Sequence, residues 1–266
     1  MNDLELRKLQ ITELEILIDF HNFCKDNNLT YYLIGGALLG AMRHQCFIPW
    51  DDDIDVAMPR NDYERLKTEY ISSEKYFLQN ADSDPLFARG IQKIRRNGTM
   101  VVEEITKNVD IHHGIYIDIF PIDYVNTAGK VKMGLRARTI RFYLSLRAIK
   151  SGYRGSRYRG LKSIIQALCP INVASIDHRL DVLCTRENHL SRRYAVLWLH
   201  NYSWNRQLHD PKIFGEAGTC MFEGQQFSAP EDAHAFLAKV FGTEYMLEPP
   251  VEKRRNPHNY VKICFD

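Results

Sequence analysis

Ile34-Gly35-Gly36-Ala37-Leu38-Leu39-Gly40, followed closely by Pro49-Trp50-Asp51-Asp52-Asp53-Ile54-Asp55-Val56, decides how this chain of 266 residues reads. The first stretch joins a glycine pair to a helix start. Lacking Cβ atoms, Gly35 and Gly36 let backbone N–H groups approach a phosphate, and the positive end of the helix dipole favours the same ligand. The second stretch sets Asp53 and Asp55 two residues apart. On a strand that spacing sends both carboxylates to one face, where they can share a divalent cation. Ile54, Val56 and Met58 then turn to the core. A glycine pair alone reads as a tight turn, and an Asp run alone as a solvated loop. Together they are a toolkit for metal-assisted phosphoryl transfer.

Such a site needs a third carboxylate on a neighbouring strand. In Gly114-Ile115-Tyr116-Ile117-Asp118-Ile119-Phe120-Pro121-Ile122-Asp123, the three isoleucines before the proline alternate with Tyr116, Asp118 and Phe120, as in a half-buried strand. An acid among apolar neighbours is costly to bury unless a cation or hydrogen bonds satisfy it. Asp118 is therefore the expected third metal ligand. Asp123, beyond Pro121, reads as a turn or cap residue. Positive charge is also needed for a diphosphate. Strand alternation sends Lys93 and Arg95 to one face and Arg96 to the other, so either of the first two can clamp a phosphate or line a solvated face. Arg43 can contact phosphate or neutralise the end of its own helix. Trp50, beside the acids, offers a ring to a quaternary ammonium, as do Tyr116, Trp198 and Trp204, with core packing as the rival role. His112 and His113 point apart on an extended chain, and His113 is a candidate substrate contact.

Gly35 to His44, Phe47 to Val56, Tyr116 to Pro121, and the tail Tyr245-Met246-Leu247-Glu248-Pro249-Pro250 with Lys253, Arg254 and His258 resemble the LicD family. The resemblance runs from about Leu4 to His258. It implies a nucleotidyltransferase-like fold and a donor such as CDP-choline or another CDP-conjugate. It also implies transfer of phosphocholine, or of ribitol phosphate in the related fukutin-type proteins, to a glycan such as lipopolysaccharide, teichoic acid or capsule. Asp53, Asp55 and Asp118 would be catalytic and would hold Mg²⁺ or Mn²⁺, as two ions. Lys253, Arg254 and His258 would face substrate. Cys46 stands where glycine is expected, which implies a strained or reshaped loop if that position needs positive φ. Two rivals remain open: a conventional nucleotidyltransferase that releases pyrophosphate, and a non-catalytic glycan- or lipid-binding protein.

The formal net charge of +2 carries no global nucleic-acid signal, and no nucleic-acid partner is expected. Six cysteines without a Cys-x-x-Cys pair argue against zinc or a disulfide framework and fit a reducing compartment. The N-terminus lacks a signal-peptide pattern and no apolar run is long enough to span a bilayer. The expected location is cytoplasmic, with peripheral contact at the inner face of the membrane.

The fold class expected is α/β (α+β): a nucleotidyltransferase-like mixed sheet with surrounding helices and a helical, basic C-terminal half. The chain divides at 1–125, the catalytic core, and 126–266, which completes the same unit. Periodicity predicts helices over Leu4 to Asn28 with Asp3 as cap and with Leu6, Leu14, Leu17, Ile18 and His21 on one face. Further helices are expected over Ala37 to Arg43, Asn61 to Tyr70, Leu161 to Leu168 and Ile176 to Arg192. Strands are expected over Tyr31 to Ile34, Asp53 to Met58 and Tyr194 to Leu199, and a hairpin around Asn97-Gly98. A second hairpin spans Phe222 to Phe227, and a last helix opens at Pro230-Glu231-Asp232 and stops at Gly242. Between Tyr124 and Ile176 there is no Asp or Glu, while lysine and arginine accumulate. There Val131, Leu135, Phe142, Leu146 and Ile149 align in a stripe flanked by Lys132, Arg136, Arg138 and Lys150. That pattern suits a membrane surface or a lipid-linked glycan acceptor over 129–162.

Overall fold

The computed structural model describes the chain except residues 155–163, 165–167, 255, 257 and 266. The helix expected over 161–168 lies largely outside the described residues. The fold is a mixed α/β architecture with the sheet at its centre. The strands β1 (Tyr32–Leu33), β2 (Asp55–Pro59), β6 (Tyr116–Val125), β4 (Gln92–Arg96) and β3 (Tyr76–Gln79) lie side by side in that order. β2 and β6 run parallel and the other neighbours antiparallel. The far end of β6 continues into β7 (Tyr194–Val196) and β8 (Leu208–His209).

β6 is the axis of the molecule. Ile117 and Ile119 are fully buried, and so are Ile54, Val56 and Met58 across the ladder. Pro121 sits inside this strand without costing a ladder bond. The Asp118 N–H donates to Ile54 of the β2 side, so the N–H that Pro121 lacks would face β4. β4 pairing has already stopped at Ile119. Asp123 is consequently a strand residue paired with Val196, not the turn residue its proline suggested.

α1 (Asp3–Asp26) starts at a capping box in which Asn2, not Asp3, is the cap and Glu5 reciprocates. Its buried face is Leu6, Leu9, Gln10, Glu13, Ile16, Leu17, Phe20 and Cys24. Leu14, Ile18 and His21 flank that face. α2 (Gly35–His44) and α3 (Arg60–Glu69) follow β1 and β2, with Tyr63 and Leu66 buried as expected. α2 ends at Gln45, which takes the left-handed conformation (φ 57°). Cys46 therefore needs no positive φ, and the loop is not strained at that position.

The hairpin expected around Asn97-Gly98 does not form. Gly98 does turn the chain at φ 79°, but β5 (Met100–Glu103) leaves β4 and pairs with β11 (Tyr260–Cys264). A local turn signal was outweighed by a partner from the far end of the chain. The C-terminal half is not simply helical either. It contains α4 (Lys130–Lys150), α5 (Val173–Thr185) and α6 (Ala233–Phe241), but also β7 to β11. β9 (Gly218–Phe222) and β10 (Gln225–Ala229) form the predicted hairpin, with Glu223 and Gly224 both at positive φ. Asp232 caps α6 and Gly242 ends it.

α4 packs on α5, β7 and Trp198 around a second apolar cluster that includes Met133, Ile140, Leu146 and Ile176. The predicted stripe splits. Leu146 is fully buried, whereas Val131, Leu135 and Phe142 are 84, 64 and 43% exposed. Arg136 is buried against Glu187 at 2.6 Å and is not a flank of the stripe.

Candidate active site

The glycine turn and the acidic loop meet. Gly35 adopts φ +58°, and a Cβ there would lie 2.9 Å from an oxygen of Asp55. A Cβ on Gly36 would lie 2.1 Å from an oxygen of Asp51. Only glycine lets the helix start press this closely on carboxylates. Ile34 caps α2 with no side-chain acceptor, so the first N–H groups of the helix remain available for an anionic ligand. Gly35, at positive φ, turns the chain where α2 begins, and the helix runs on from Gly36.

Asp55 lies directly opposite Asp118 across the parallel β2–β6 ladder. Lys93 lies opposite Asp118 on the other side, from β4. Asp53 precedes the strand by two residues and feels the charges of Asp55, Asp51, Asp52 and Asp118. Burial first, then those like charges, hold its carboxyl well above the usual range. Asp51 is raised for the same reasons, burial foremost. The three acids picked out by spacing are therefore one cluster.

Four further groups join it that the sequence pattern did not point to. Asp52 is completely buried, and its Oδ1 is 2.9 Å from Nδ1 of His258. Its Oδ2 has no partner among the described residues. Glu13 reaches in from α1. Burial, with Asp53, Asp52, Asp51 and Asp118 nearby, raises its carboxyl well above normal, and its Oε2 is also unpartnered among the described residues. His200, in the loop after β7, is buried with Nε2 3.5 Å from Asp55 Oδ2. Its ring stacks on Tyr202 at 4.9 Å. Tyr260 donates from its hydroxyl to the Asp52 carbonyl at 3.3 Å. Glu13 had a visible signal: it falls on the helical stripe of Leu6, Leu9, Ile16 and Phe20, where an apolar residue belongs. His200 had none, because only the tertiary fold brings it to Asp55.

Six carboxylates thus crowd a small volume. Among the described residues, Lys93 is the cation that touches them directly, with His258 against Asp52 and His200 beside Asp55. Asp52, Asp53 and His258 each offer one ligand atom, all within 4.8 Å of one another. Orphaned buried oxygens, an excess of negative charge and oxygen-rich donors fit a divalent cation.

The expected phosphate clamps are placed differently. Lys93 is 1% exposed, ion-paired to Asp118 at 2.6 Å and 3.1 Å from the centre of the Tyr116 ring. Burial brings its ammonium down to about 8 even against the pull of Asp118. Arg95 is buried and donates to Gln79 and the Gly114 carbonyl. Arg96 does take the other face and pairs with Glu15. Arg43 donates to the carbonyls of Tyr245 and Leu247, tying α2 to the C-terminal segment. None of the three candidate clamps is a free cation beside the acids. Lys93 holds a carboxylate, and the two arginines brace backbone.

Trp50 already has a cation on its ring, the guanidinium of Arg254 at 5.3 Å. Arg254 also pairs with Glu248 at 2.9 Å, and Lys253 is exposed. His113 places Nε2 3.1 Å from the Val109 carbonyl rather than against the acids. Of the predicted substrate residues, only His258 touches the acidic cluster directly. Arg89 and Glu103 make a further pair at 2.5 Å nearby, and Tyr116 donates to Glu103 at 3.3 Å. Burial opposes the Glu103 charge, yet Arg89, Lys93 and His258 bring its carboxyl down to about 2.

Residues 28–139, which hold the glycine turn, the acidic loop and Asp118, match the LicD/FKTN/FKRP nucleotidyltransferase domain. The lipopolysaccharide cholinephosphotransferase LicD of Haemophilus influenzae is 29% identical over 264 residues, 97% of each chain. Shorter matches are to an uncharacterized protein of Rickettsia typhi, 34% identical over 23% of this chain and 22% of its own. A similar protein of Rickettsia prowazekii is 42% identical over 18% of both.

Proposed function

As a LicD-family chain and a transferase, this protein, we propose, moves phosphocholine or a related phospho-substituent from a CDP-linked donor to a hydroxyl of a cell-surface glycan, with release of CMP. The observation that carries this is the pairing of Asp55 with Asp118 across β2 and β6, beneath a glycine-opened helix start. The full-length similarity to a lipopolysaccharide cholinephosphotransferase favours a phosphocholine donor and a lipopolysaccharide-type acceptor.

Asp53, Asp55 and Asp118 would hold Mg²⁺ or Mn²⁺, as one ion or two. Bound there, the metal neutralises the diphosphate and lowers the pKa of an acceptor hydroxyl. The chain's own groups do the rest. The free N–H groups of α2 face the phosphates. Lys93 keeps Asp118 in register with Asp55. Asp118, partly exposed beside the acceptor position, takes the proton of the attacking hydroxyl. His200 fixes the Asp55 carboxylate.

Incubation with CDP-choline and a lipopolysaccharide acceptor tests the reading. CMP and a choline-bearing glycan are expected. Pyrophosphate release from a nucleoside triphosphate, without CMP from CDP-choline, would replace it with a conventional nucleotidyltransferase. No reaction of either kind, with glycan bound, would leave a binding protein.

The acceptor also bears on the outer face of α4. Val131, Leu135 and Phe142 are exposed beside Lys132 and Arg138, which have no carboxylate partner among the described residues. Among the described residues, no helix is long and apolar enough to cross a membrane. This face suits reversible docking on an anionic lipid surface that presents the acceptor.

A further inference from the structure

His200 and His258 each approach one member of the Asp53/Asp55 pair, but they do so with opposite chemistry. His258 places Nδ1 2.9 Å from the Asp52 carboxylate. The carboxylate accepts here, so Nδ1 carries a proton, and in the neutral imidazole that a cation would select Nε2 offers a lone pair. That lone-pair nitrogen is 3.8 Å from Asp53 Oδ2. The separation is too long for a hydrogen bond. It is short enough for one cation, roughly 2.0–2.2 Å from each atom, to lie between them. In His200 the assignment reverses. Its Nδ1 receives the Tyr202 N–H at 3.4 Å, so Nε2 bears the proton and points it at Asp55.

We propose that His258, through Nε2, is a nitrogen ligand of the cation held by Asp53, and that buried Asp52 is the carboxylate that orients it. The assignment rests on the metal-dependent reading above and deepens it. A ligating imidazole that donates its other N–H to a carboxylate is the usual arrangement around protein-bound metals. Asp52 is built for that role: fully buried, with its backbone carbonyl held by Tyr260 and one oxygen spare. The His258 ring stacks on Tyr260 at 5.6 Å and 19°, which sets its plane. The C-terminal segment is therefore part of the metal site, although it lies outside the matched nucleotidyltransferase domain. A mixed nitrogen and oxygen donor set shifts preference from Mg²⁺ toward Mn²⁺ and later divalent ions. His200 is a positioning residue and not a ligand.

Mn²⁺ binding to the full chain, followed by pulsed electron paramagnetic resonance, tests this without turnover. Wild type should bind Mn²⁺ and show coupling to one imidazole nitrogen. His258→Gln should lose the nitrogen coupling and bind Mn²⁺ about 10–100-fold more weakly, with an unchanged circular dichroism spectrum. Asp52→Asn should weaken binding over the same range. His200→Gln should keep the nitrogen coupling. Nitrogen coupling absent in wild type, surviving in His258→Gln or lost only in His200→Gln would overturn the assignment while leaving the carboxylate site standing. Failure of wild type to bind Mn²⁺, or full affinity in Asp55→Asn, would overturn the carboxylate site and this ligand with it.

Discussion

Two aspartates on β6, Asp118 and Asp123, show how one strand serves two purposes. They are five residues apart, an odd offset, and so point to opposite faces. Asp123 is fully buried and saturated. Arg60 donates to it twice, at 2.8 and 2.7 Å, and Asn188 donates at 2.7 Å. Among the described residues Asp118 has one cation, Lys93, and it sits in a crowd of acids. The paired carboxylate is architecture, joining α3 to β6 and the segment after α5. The crowded ones mark the candidate site, because carboxylates in excess of local cations favour a further positive partner. The contrast can be broken by neutralising each in turn.

The largest effects belong on the crowded face. Asp53→Asn and Asp55→Asn should each reduce turnover by at least two orders of magnitude while the fold survives. Thermal melting without metal should be unchanged or slightly higher, since each substitution removes like-charge repulsion. Asp118→Asn should match them in turnover. Activity above about a tenth of wild type in any of the three would take that residue out of the site.

Asp123→Asn should invert the pattern. It leaves the Arg60 guanidinium in the interior without its carboxylate, at a cost of roughly 3 kcal/mol. Urea denaturation should show that loss, while turnover per folded molecule stays near wild type. A catalytic defect with unchanged stability would mean that the two ends of β6 had been assigned the wrong way round.

Glu13 gives a smaller test, through pH. Its folded-state pKa is raised, chiefly by burial and then by the neighbouring acids. The native state therefore holds a proton that the unfolded chain has already released, and stability falls as pH rises above the ordinary glutamate value. Every tenfold difference in proton affinity between the folded and unfolded chain corresponds to roughly 1.4 kcal/mol. Glu13→Gln has no charge to form and can donate to the adjacent carboxylates. It should be more stable than wild type at pH 8 and close to it at pH 4.5, in metal-free protein. Lower stability at pH 8 would show that Glu13 is ionised and satisfied in the native state.

The acidic cluster of the candidate site was readable because its signals are local. Gly35-Gly36 opens a helix through local backbone freedom, Asp55 starts β2 with Asp53 two residues before it in the loop, and Asp118 stands out against its isoleucines. What was not readable depends on distant partners. Lys93 and Arg95 looked like free clamps, yet their burial follows from β4 lying between β3 and β6. β5 looked like the second arm of a hairpin until β11 claimed it. Asp52 was hidden by its own motif: its odd offset from Asp53 suggests the wrong face, but residues 51–54 are not a strand. A loop releases Asp52 from strand alternation and lets His258 reach it.

The same split between satisfied and unsatisfied charge divides α4, where the smallest effects are expected. On its inner side Arg136 meets Glu187 and Arg147 meets Asp177 at 2.6 and 2.9 Å. Those arginines hold α4 to α5. On its outer side Lys132 and Arg138 accompany exposed Val131, Leu135 and Phe142. If that face docks on lipid, each engaged cation contributes about 1 kcal/mol at an anionic surface, and the apolar side chains add to it. Wild type should then co-sediment with phosphatidylglycerol vesicles at low salt, release at high salt and bind phosphatidylcholine vesicles weakly. Lys132→Glu with Arg138→Glu should abolish the salt-sensitive part. Leu135→Ser with Phe142→Ser should weaken both parts. At Lys132, Arg138 and Leu135, which stay largely in water, stability should change by no more than roughly 0.5 kcal/mol per site, and by more at Phe142, which is 43% exposed. Binding that ignores lipid charge and salt, or no binding at all, would make this face an ordinary solvated surface. A large stability loss in the double serine variant would instead mean that it packs on protein.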